Sequence, residues 1–440
     1  MPASIINFGF SGLTMKDRRF KAVPWSIGTN IYEVNLRQYT EAGTFRAFEQ
    51  HLPRLKDMGA EVLWFMPVTP ISREKRLGIL GSYYACSDYT STNPEFGTVE
   101  DFSNLVAEAH ALGFKVIIDW VANHTGWDHV WTQTNPGFYK KNKEGKFYDS
   151  HGWEDVIDLN YYDHQLRREM VNAMRFWVET CNIDGFRCDM AHLVPLDFWR
   201  NTREELDSIR PLFWLAESDE YNYFEAFDAG YAWNWMHGSA SFIKGNSHLE
   251  DMLAVLADYE RRYPVGSRHL FFTTNHDENS WNGSEYEKYG NAARAMAVFS
   301  YTWNGIPLTY SGQEIPNHKR LKFFEKDSIQ WPENCELHGF YQTLNNFRKT
   351  HPLYRQYPSP APTRINTDFD RTIFCYHAGE DQDTMIVLLN FSGENHSVNL
   401  PEQLANGLYK SVLDNRSFDF GARPCIDALP WEALILTRQQ

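Results

Sequence analysis

The chain has 440 residues, of which 42% are hydrophobic, so it can bury a large core, and intrinsic disorder is excluded. Its 57 acidic residues outnumber its 42 basic ones, giving a net charge of −15. This balance excludes a nucleic-acid partner, because binding phosphates requires a basic surface.

About the first 350 residues alternate between short apolar segments and amphipathic helical patterns. Short, continuously apolar segments are typical of parallel strands that are buried on both faces. The predicted strands are Asn30–Val34, Val62–Met66, Lys115–Asp119, Gly185–Asp189, Leu212–Ala216, Phe224–Gly230, His269–Thr274 and Ile306–Tyr310. The strand at Phe224–Gly230 is placed there because the interval between Glu217 and Asn275 is long enough for two strand–helix units. Among the helices, Leu166, Met170, Met174 and Trp177 share one stripe of the segment 163–181.

Repeated strand–helix units form either an open doubly wound sheet or a closed barrel. No glycine-rich phosphate-binding pattern follows the first strand, which disfavours the open sheet. The sequence therefore predicts an α/β protein with a (β/α)8 TIM barrel over residues 1–124 and 162–355. The long interval after the third strand predicts a short inserted domain over residues 125–161.

After residue 355, prolines and short strands bounded by turn residues replace the barrel pattern. The predicted strands of this region are Thr372–His377, Thr384–Phe391, His396–Leu400, Leu408–Leu413 and Trp431–Thr437. This pattern predicts a C-terminal antiparallel β-sandwich over residues 356–440, which we expect to pack against the barrel.

The sequence contains no apolar run near the roughly 18 to 20 residues of a membrane-spanning helix. Residues 1–12 lack the charged start and apolar stretch of a signal peptide. The six cysteines form neither a zinc-binding spacing nor a disulfide framework. These features predict reduced, buried thiols in a cytoplasmic protein that has no membrane partner, with a secreted chain trimmed of its signal as the alternative.

In a barrel the active site lies at the C-terminal ends of the strands, so charged residues there are candidates for catalysis. One carboxylate at such an end is more often a cap for the following helix. Several on one rim are costly unless a charge develops between them. The candidate residues are Asp119, Asp189, Glu217 and Asp277, joined by Arg187, His124 and His276.

Two of these acids have different surroundings. Arg187 and Asp189 are two residues apart on one strand, so both point into the barrel, and the arginine keeps the acid ionised as a nucleophile or a cation stabiliser requires. Glu217 follows the apolar residues Trp214, Leu215 and Ala216, and burial raises the pKa of a carboxyl, which suits a general acid. An ionised carboxylate with a protonated carboxyl is what cleavage of a glycosidic bond requires.

The local sequences around these residues resemble a known family. The matching segments are Asp119-Trp-Val-Ala-Asn123-His124, Gly185-Phe-Arg187-Cys-Asp189, Leu215-Ala-Glu217 and Asn275-His276-Asp277. They resemble, in order, the four signature segments of the α-amylase family, glycoside hydrolase family 13. The likeness extends over essentially the whole chain, including the excursion after strand three and the C-terminal β-domain.

The resemblance implies a retaining α-glucan hydrolase that cleaves α-1,4-glucosidic bonds of starch or maltooligosaccharides and uses no organic cofactor. Asp189 would attack the anomeric carbon, Glu217 would protonate the leaving oxygen and later activate water, and Asp277 would hold the 2- and 3-hydroxyls of the sugar. The implied substrate-binding residues are Tyr84, which stacks on the sugar, and Asp119, His124, Arg187 and His276. The oligomeric state stays open.

Two departures from the family pattern concern substrate and metal binding. His192 and Leu193 stand where many α-amylases carry Lys and His, so His192 is the candidate for the aglycone side. Asn123 and Asp158 match the family's calcium ligands in type and place, although a calcium ion requires more oxygen donors than two residues supply. The alternative is that Asn123 simply bonds neighbouring backbone.

Aromatic residues in the predicted rim loops are candidates for stacking on sugar rings, and we expect about a third of them to contact carbohydrate. They are Tyr83, Tyr84, Trp127, Trp131, Trp153, Tyr161, Tyr162, Trp233, Trp235 and Trp281. Trp127 is included among the substrate-binding candidates. The alternative functions are a cyclomaltodextrinase-like, neopullulanase-like or transglycosylating member of the same family, and a non-catalytic sugar-binding protein on the same fold.

Overall fold

The computed structural model describes residues 20–439, so the prediction about a signal peptide at residues 1–12 lies outside the described residues. Eight parallel strands close into a barrel in which each strand pairs with its neighbours in the chain and the first pairs with the last. The barrel strands, here numbered one to eight, are Ile31–Val34, Val62–Phe65, Lys115–Trp120, Gly185–Cys188, Phe213–Ala216, Ala229–Tyr231, Arg268–Phe271 and Ile306–Tyr310. The predicted (β/α)8 TIM barrel is confirmed.

The sixth strand lies later in the chain than the sequence predicts. Residues Tyr221–Glu225 form a 3-10 helix, and the strand is Ala229–Tyr231. Tyr223 and Phe224 are buried in this 3-10 helix, just as they would be in a barrel strand. Their apolar character alone therefore cannot distinguish a 3-10 helix from a strand. The seventh strand ends at Phe271, three residues earlier than predicted.

Both faces of the barrel strands are buried, for two different reasons. Side chains such as Ile31, Val62 and Leu215 fill the interior of the barrel. Their chain neighbours, for example Leu63 and Trp214, point outward and pack under the surrounding helices. This double burial explains why the strands are continuously apolar instead of alternating.

Helices cover the outside of the barrel, and the longest one begins at a well-formed cap. Asp163 accepts hydrogen bonds from the backbone nitrogens of Gln165 and Leu166, and the predicted helix therefore begins at His164. The helices are Leu36–Tyr39, Phe45–Glu49, Leu52–Asp57, Val99–Ala111, Val130–Thr134, His164–Thr180, Leu196–Asp207, Trp233–Ile243, Leu249–Arg262, Glu285–Tyr289, Ala293–Thr302 and His338–Thr350.

The segment after the third strand is held to the barrel rim by a short antiparallel pair. His124–Gly126 pairs with Val156–Asp158, with His124 opposite Asp158. The pairing places the start and end of the excursion side by side, directly above the third strand. The boundaries at residues 125 and 161 stay a prediction.

The C-terminal region contains a six-stranded and a two-stranded antiparallel sheet. The larger sheet has the order Thr363–Ile365, Ile373–Ala378, Met385–Asn390, Ala433–Arg438, Leu408–Ser411 and Ser417–Asp419, and the smaller pairs His396–Asn399 with Cys425–Ala428. Three of these strands, at Thr363, Ser417 and Cys425, were not predicted, and each is only three or four residues long.

The larger C-terminal sheet is buried on both faces. Ile386 and Leu388 share a core with Val398 and Ile426 of the small sheet, as in a sandwich. On the opposite face, Tyr376 packs on the barrel, where its hydroxyl lies 2.6 Å from the Thr302 hydroxyl. The expected packing of this region against the barrel is confirmed.

Two further expectations concern thiols and membranes. None of the six cysteines forms a disulfide within residues 20–439, and Cys86, Cys181, Cys188 and Cys375 are buried. Over the same residues, every helix is too short or too polar to cross a membrane.

Candidate active site

Arg187 lies at the centre of a cluster of acids at the C-terminal end of the barrel. Its side chain is fully buried, and Nη1 donates to Asp119 Oδ1 and to Asp189 Oδ1, each at 2.9 Å. Nη2 lies 2.9 Å from Glu217 Oε1. One guanidinium therefore joins a carboxylate of the third strand with those of the residues that directly follow the fourth and fifth strands.

Burial dominates the electrostatics of these acids. It raises the pKa of Glu217 to about 7 and that of Asp189 to about 6, while the charge of Arg187 opposes both shifts. Burial therefore favours the protonated form of both acids, and the contact with Arg187 favours the carboxylate form of both. The raised pKa of Glu217 agrees with the expectation from the sequence, whereas the pKa of Asp189 is also raised, and Arg187 contacts both acids and not Asp189 alone.

The backbone between the two acids is strained in a way that serves Glu217. Met190, directly after Asp189, has φ 40° and ψ 45°, a left-handed conformation that is uncommon for a residue with a side chain. Its N–H donates to Glu217 Oε2 at 2.8 Å. Asp189 Oδ2 is buried and makes no hydrogen bond to any of residues 20–439.

Tyr84, His276 and Asp277 form a second group beside Arg187. The Tyr84 hydroxyl donates to Asp119 Oδ2 at 3.0 Å and lies 2.6 Å from His276 Nε2. His276 Nε2 also lies 3.2 Å from Asp277 Oδ2. Burial opposes ionisation of Asp277, but the charge of His276 prevails and lowers the pKa of this carboxyl.

The site opens above Asp277. The side chain of Asp277 is 35% exposed, whereas those of Asp189 and Glu217 are 8% and 7% exposed. A ligand that enters from solvent therefore meets Asp277 first and reaches the other two acids at the bottom of the site.

The remaining predicted binding residues lie at or beyond the rim. His124 is buried, and burial lowers its pKa to about 4 although a hydrogen bond to the backbone of Tyr84 favours the charged ring. His192 is partly buried, and its carbonyl accepts the Tyr223 hydroxyl at 3.0 Å. Trp127 donates to the Glu154 carbonyl at 3.0 Å and lies under the Lys75 ammonium, so its described contacts brace the loops.

The rim aromatics divide by exposure. Tyr83, Tyr161 and Trp235 are buried, as expected of core residues. Trp281 and Tyr162 are strongly exposed. Trp281 belongs to an aromatic surface that leads to the site, because it packs on Phe323, which lies parallel to Tyr84 with a centroid separation of 6.2 Å. The rings of Trp153 and Trp233 also lie beside site residues, 5.3 Å from His124 and 5.2 Å from Tyr231 between centroids.

The residues predicted as calcium ligands do not fit a calcium site. The Lys140 ammonium lies 3.0 Å from Asp158 Oδ2, and the Ser150 hydroxyl donates to the same oxygen. Asn123 Nδ2 lies 3.2 Å from His124 Nδ1. Residues 20–439 contain no cluster of three or more His, Cys, Asp or Glu side chains suited to a metal ion. Groups of the protein itself therefore already bind Oδ2 of the Asp158 carboxylate, whereas its Oδ1 is buried and makes no hydrogen bond to residues 20–439.

Four residues of the site were missed by sequence reasoning. Trp64 donates to Asp119 Oδ2 at 3.3 Å, the Tyr231 hydroxyl accepts from Arg187 Nε at 3.2 Å, Glu33 contacts His276, and Phe323 extends the surface of Tyr84. Glu33 and Trp64 lie within predicted strands, so a charged or polar atom in an apolar strand was the available signal. Tyr231 lies in the misplaced sixth strand, and nothing local marks Phe323.

Comparison with known proteins agrees with this architecture. The family model described as "Alpha amylase, catalytic domain" matches residues 26–142 and 135–351, which together span most of the chain. The chain belongs to the α-amylase family. Its match to that family covers the whole barrel and the excursion after the third strand.

Individual members of the α-amylase family are similar over most of this chain. A maltogenic α-amylase, AmyB, from Thermotoga neapolitana has a TM-score of 0.87 and 29% identity, covering 94% of this chain and 100% of that one. The α-amylase MalA of Haloarcula japonica is 26% identical over 91% of this chain and 62% of its own length. A trehalose-6-phosphate hydrolase of Bacillus subtilis is 30% identical over 72% of this chain and 69% of its own. The chain thus spans less than two thirds of MalA.

Proposed function

We propose that this protein is a retaining α-glucan hydrolase that cleaves α-1,4-glucosidic bonds of starch or maltooligosaccharides. The observation that carries the proposal is the buried cluster of Asp119, Asp189 and Glu217 around Arg187, in a member of the α-amylase family. One acid with a free oxygen and another with a raised pKa are the pair that a double-displacement reaction uses. Relatives whose names include α-amylase and maltogenic α-amylase support the choice of an α-1,4-glucan.

The reaction proceeds in two steps. Asp189 Oδ2 attacks the anomeric carbon as the glycosidic bond breaks, and Glu217 gives its proton to the departing oxygen. Water then adds to the anomeric carbon of the glycosyl–Asp189 ester, Glu217 takes one proton from this water, and the Asp189 carboxylate is released. Arg187 stabilises the Asp189 carboxylate before attack and after release.

The second group binds the sugar at the cleavage point. The exposed, ionised Asp277 accepts hydrogen bonds from the 2- and 3-hydroxyls and stabilises the oxocarbenium-like transition state. The Tyr84 ring stacks on the apolar face of the sugar, while Asp119 holds Tyr84 and Arg187 in place. His124 hydrogen-bonds the sugar, while His276 acts through its contacts with Tyr84 and Asp277.

The polarity of the bound chain follows from the position of the acid. Glu217 must face the leaving group, so the aglycone extends toward the side where His192 follows the fourth strand. The rest of the glucan extends the other way, along Tyr84, Phe323 and Trp281. This surface of rings offers stacking positions for further glucose units.

We propose that the protein works without calcium and in the cytoplasm. Lys140 supplies the positive charge beside Asp158, and six free thiols suit a reducing compartment. The partner is the glucan itself. A proteolysis-protected pool of the protein in the cytosolic fraction of its own cells would support the compartment, and a pool in the medium would contradict it.

A product profile of the wild type and of Asp189→Asn tests the proposed function. On soluble starch and maltoheptaose, the wild type releases reducing sugar whose first-formed anomer, read by NMR, is α. Asp189→Asn loses about 10⁴-fold or more in kcat, because the covalent step is lost, while its melting temperature does not fall.

The control is Asp197→Asn, which changes an aspartate with a 60% exposed side chain at the start of the helix Leu196–Asp207. It keeps full activity. Turnover in Asp189→Asn, or a β-anomer as the first product, contradicts the mechanism. Preference of the wild type for cyclodextrin or pullulan assigns the chain to the other hydrolase subtypes of the family. Products longer than the substrate would indicate glycosyl transfer. The absence of turnover on every substrate would favour the alternative of a non-catalytic sugar-binding protein.

A further inference from the structure

Glu33 is a carboxylate inside an otherwise apolar strand. It lies in the first barrel strand, Ile31–Val34, and its side chain is fully buried in the barrel interior. Oε1 lies 2.5 Å from the ring nitrogen Nδ1 of His276. It also accepts a hydrogen bond from the backbone N–H of His276 at 3.4 Å. Oε2 has no hydrogen-bond partner among residues 20–439. Burying a carboxylate is costly, so its one partner, His276, must account for its presence.

The hydrogen bonds around His276 require a proton on each ring nitrogen. The Tyr84 hydroxyl has one hydrogen, which it gives to Asp119 Oδ2. The 2.6 Å contact between Tyr84 and His276 Nε2 therefore needs a hydrogen on Nε2. On the other side, an ionised Glu33 needs a hydrogen on Nδ1 for the 2.5 Å contact; burial raises the pKa of Glu33, and the charge and hydrogen bond of His276 oppose that shift. A ring that carries both hydrogens is an imidazolium.

Charged groups face His276 from several elements of the barrel. Glu33 comes from the first strand, Asp119 from the third, and Asp277 is the next residue, while Arg187 of the fourth strand acts on Glu33 and Asp277. Burial opposes a charged ring, but the two carboxylates in direct contact, Asp277 and Glu33, prevail and raise the pKa of His276.

We propose that Glu33 is a positioning residue that holds His276 as an imidazolium, and that His276 in turn fixes the Asp277 carboxylate and the Tyr84 hydroxyl for the substrate. The proposal rests on the proposed function, in which Asp277 binds the sugar. If Nε2 lost its proton, its lone pair would face Asp277 Oδ2 at 3.2 Å, and two acceptors would repel. Because Glu33 neutralises the imidazolium, the pair adds no net charge beneath the positive transition state.

The variant Glu33→Gln tests the charge without changing the shape. The amide oxygen can still accept from Nδ1–H, so only the negative charge is lost. We expect kcat/KM to fall about 10²-fold, because Asp277 and Tyr84 are no longer held in place. In protein labelled with ¹⁵N-histidine, the His276 signals, assigned with His276→Gln, should show an imidazolium at pH 8 in the wild type and a neutral ring in Glu33→Gln.

The double variant Glu33→Gln/His276→Gln separates this role from general structural support. If Glu33 acts through His276, the double variant is no less active than His276→Gln alone. Glu314→Gln is the matched control, because Glu314 is an equally buried carboxylate that contacts Tyr32 and Arg54 outside the site. It should leave the His276 signals unchanged.

Three results would overturn the proposal: full kcat/KM in Glu33→Gln, losses that multiply in the double variant, or a neutral His276 in the wild type. A wild type without activity on any α-glucan would defeat the proposed function instead. The NMR comparison would still decide whether Glu33 keeps His276 charged.

Discussion

At the scale of single residues, Glu217 combines its proposed catalytic role with a cost in stability. Its pKa in the folded protein is about 7, raised by burial, whereas an unfolded chain has an ordinary glutamate. At pH values between the ordinary glutamate pKa and the raised pKa of Glu217, the folded state holds more protons than the unfolded state. Stability contributed by Glu217 is therefore present at low pH and declines as the pH rises toward 7 and above.

Glu217→Gln should reveal both effects. The variant has no ionisable group at this position, so it does not lose this stability as the pH rises. Its melting temperature minus that of the wild type should therefore be larger at pH 8 than at pH 5. Its kcat should fall by about 10³-fold or more on starch, and less on an aryl glycoside whose leaving group needs no proton. Differential scanning calorimetry at the two pH values and a comparison of the two substrates are the measurements. An equal difference in melting temperature at both pH values would contradict the raised pKa.

The sequence was a good guide to the residues that form continuous motifs. Asp189 and Glu217 each follow a recognisable strand, and the spacing of Arg187 and Asp189 placed both in the barrel. Glu33 and His276 are 243 residues apart, and a contact of that range has no local signature. Arg187 was expected beside one acid and joins three, because the closure of the barrel decides which side chains meet at its axis.

At the scale of elements, the pairing of His124–Gly126 with Val156–Asp158 depends on an internal ion pair. Lys140 contacts Asp158. The Asp158 side chain is fully buried, whereas the Lys140 side chain is 38% exposed. The third strand and its excursion were predicted from apolar runs and interval lengths. The Lys140 contact was not, because a lysine in a basic loop looks like an ordinary solvated residue.

Lys140→Met should lower the free energy of unfolding by about 1–3 kcal/mol, because it leaves the buried Asp158 carboxylate without its cation. A chelator or added calcium should not change the melting temperature of the wild type. Added calcium should partly restore that of Lys140→Met, since the carboxylate becomes available. Thermal unfolding of both proteins with and without calcium is the measurement.

Lys141→Met is the matched control, because the Lys141 ammonium lies 5.6 Å from the Phe147 ring. It should change stability by less than about 0.5 kcal/mol. A melting temperature of the wild type that drops with a chelator would show that a metal ion, not Lys140, holds this region.

At the scale of the whole molecule, the barrel and the C-terminal sheets share one core. Phe374 and Tyr376 of the larger sheet pack with Phe299 and Trp303 from the helix Ala293–Thr302 and its end. The sequence predicted both architectures from strand patterns, but it missed three short strands, because three or four residues carry too little periodicity. Which face of the sheet meets the barrel follows only from the fold.

We expect the two parts to unfold together. Tyr376→Ala should lower the free energy of unfolding by about 3–5 kcal/mol and shift the loss of activity and of secondary structure to the same lower temperature. Leu408→Ala, at a residue that is 54% exposed, should leave both unchanged. The measurement is a thermal scan that follows circular dichroism and residual activity side by side. Two separate transitions would show that the C-terminal sheets and the barrel unfold independently.

The guanidinium of Arg187 has a further consequence for how this architecture can diversify. Asp119, Asp189 and Glu217 are tethered to it from strands or from the residue just after a strand, and none of the three depends on the long loops for its anchorage. Insertions or deletions in those loops can therefore reshape the path by which a sugar chain enters without disturbing the reacting groups. We therefore expect natural variation and laboratory engineering to act on this site one loop at a time, whereas an exchange of Arg187 would remove the shared partner of all three carboxylates at once.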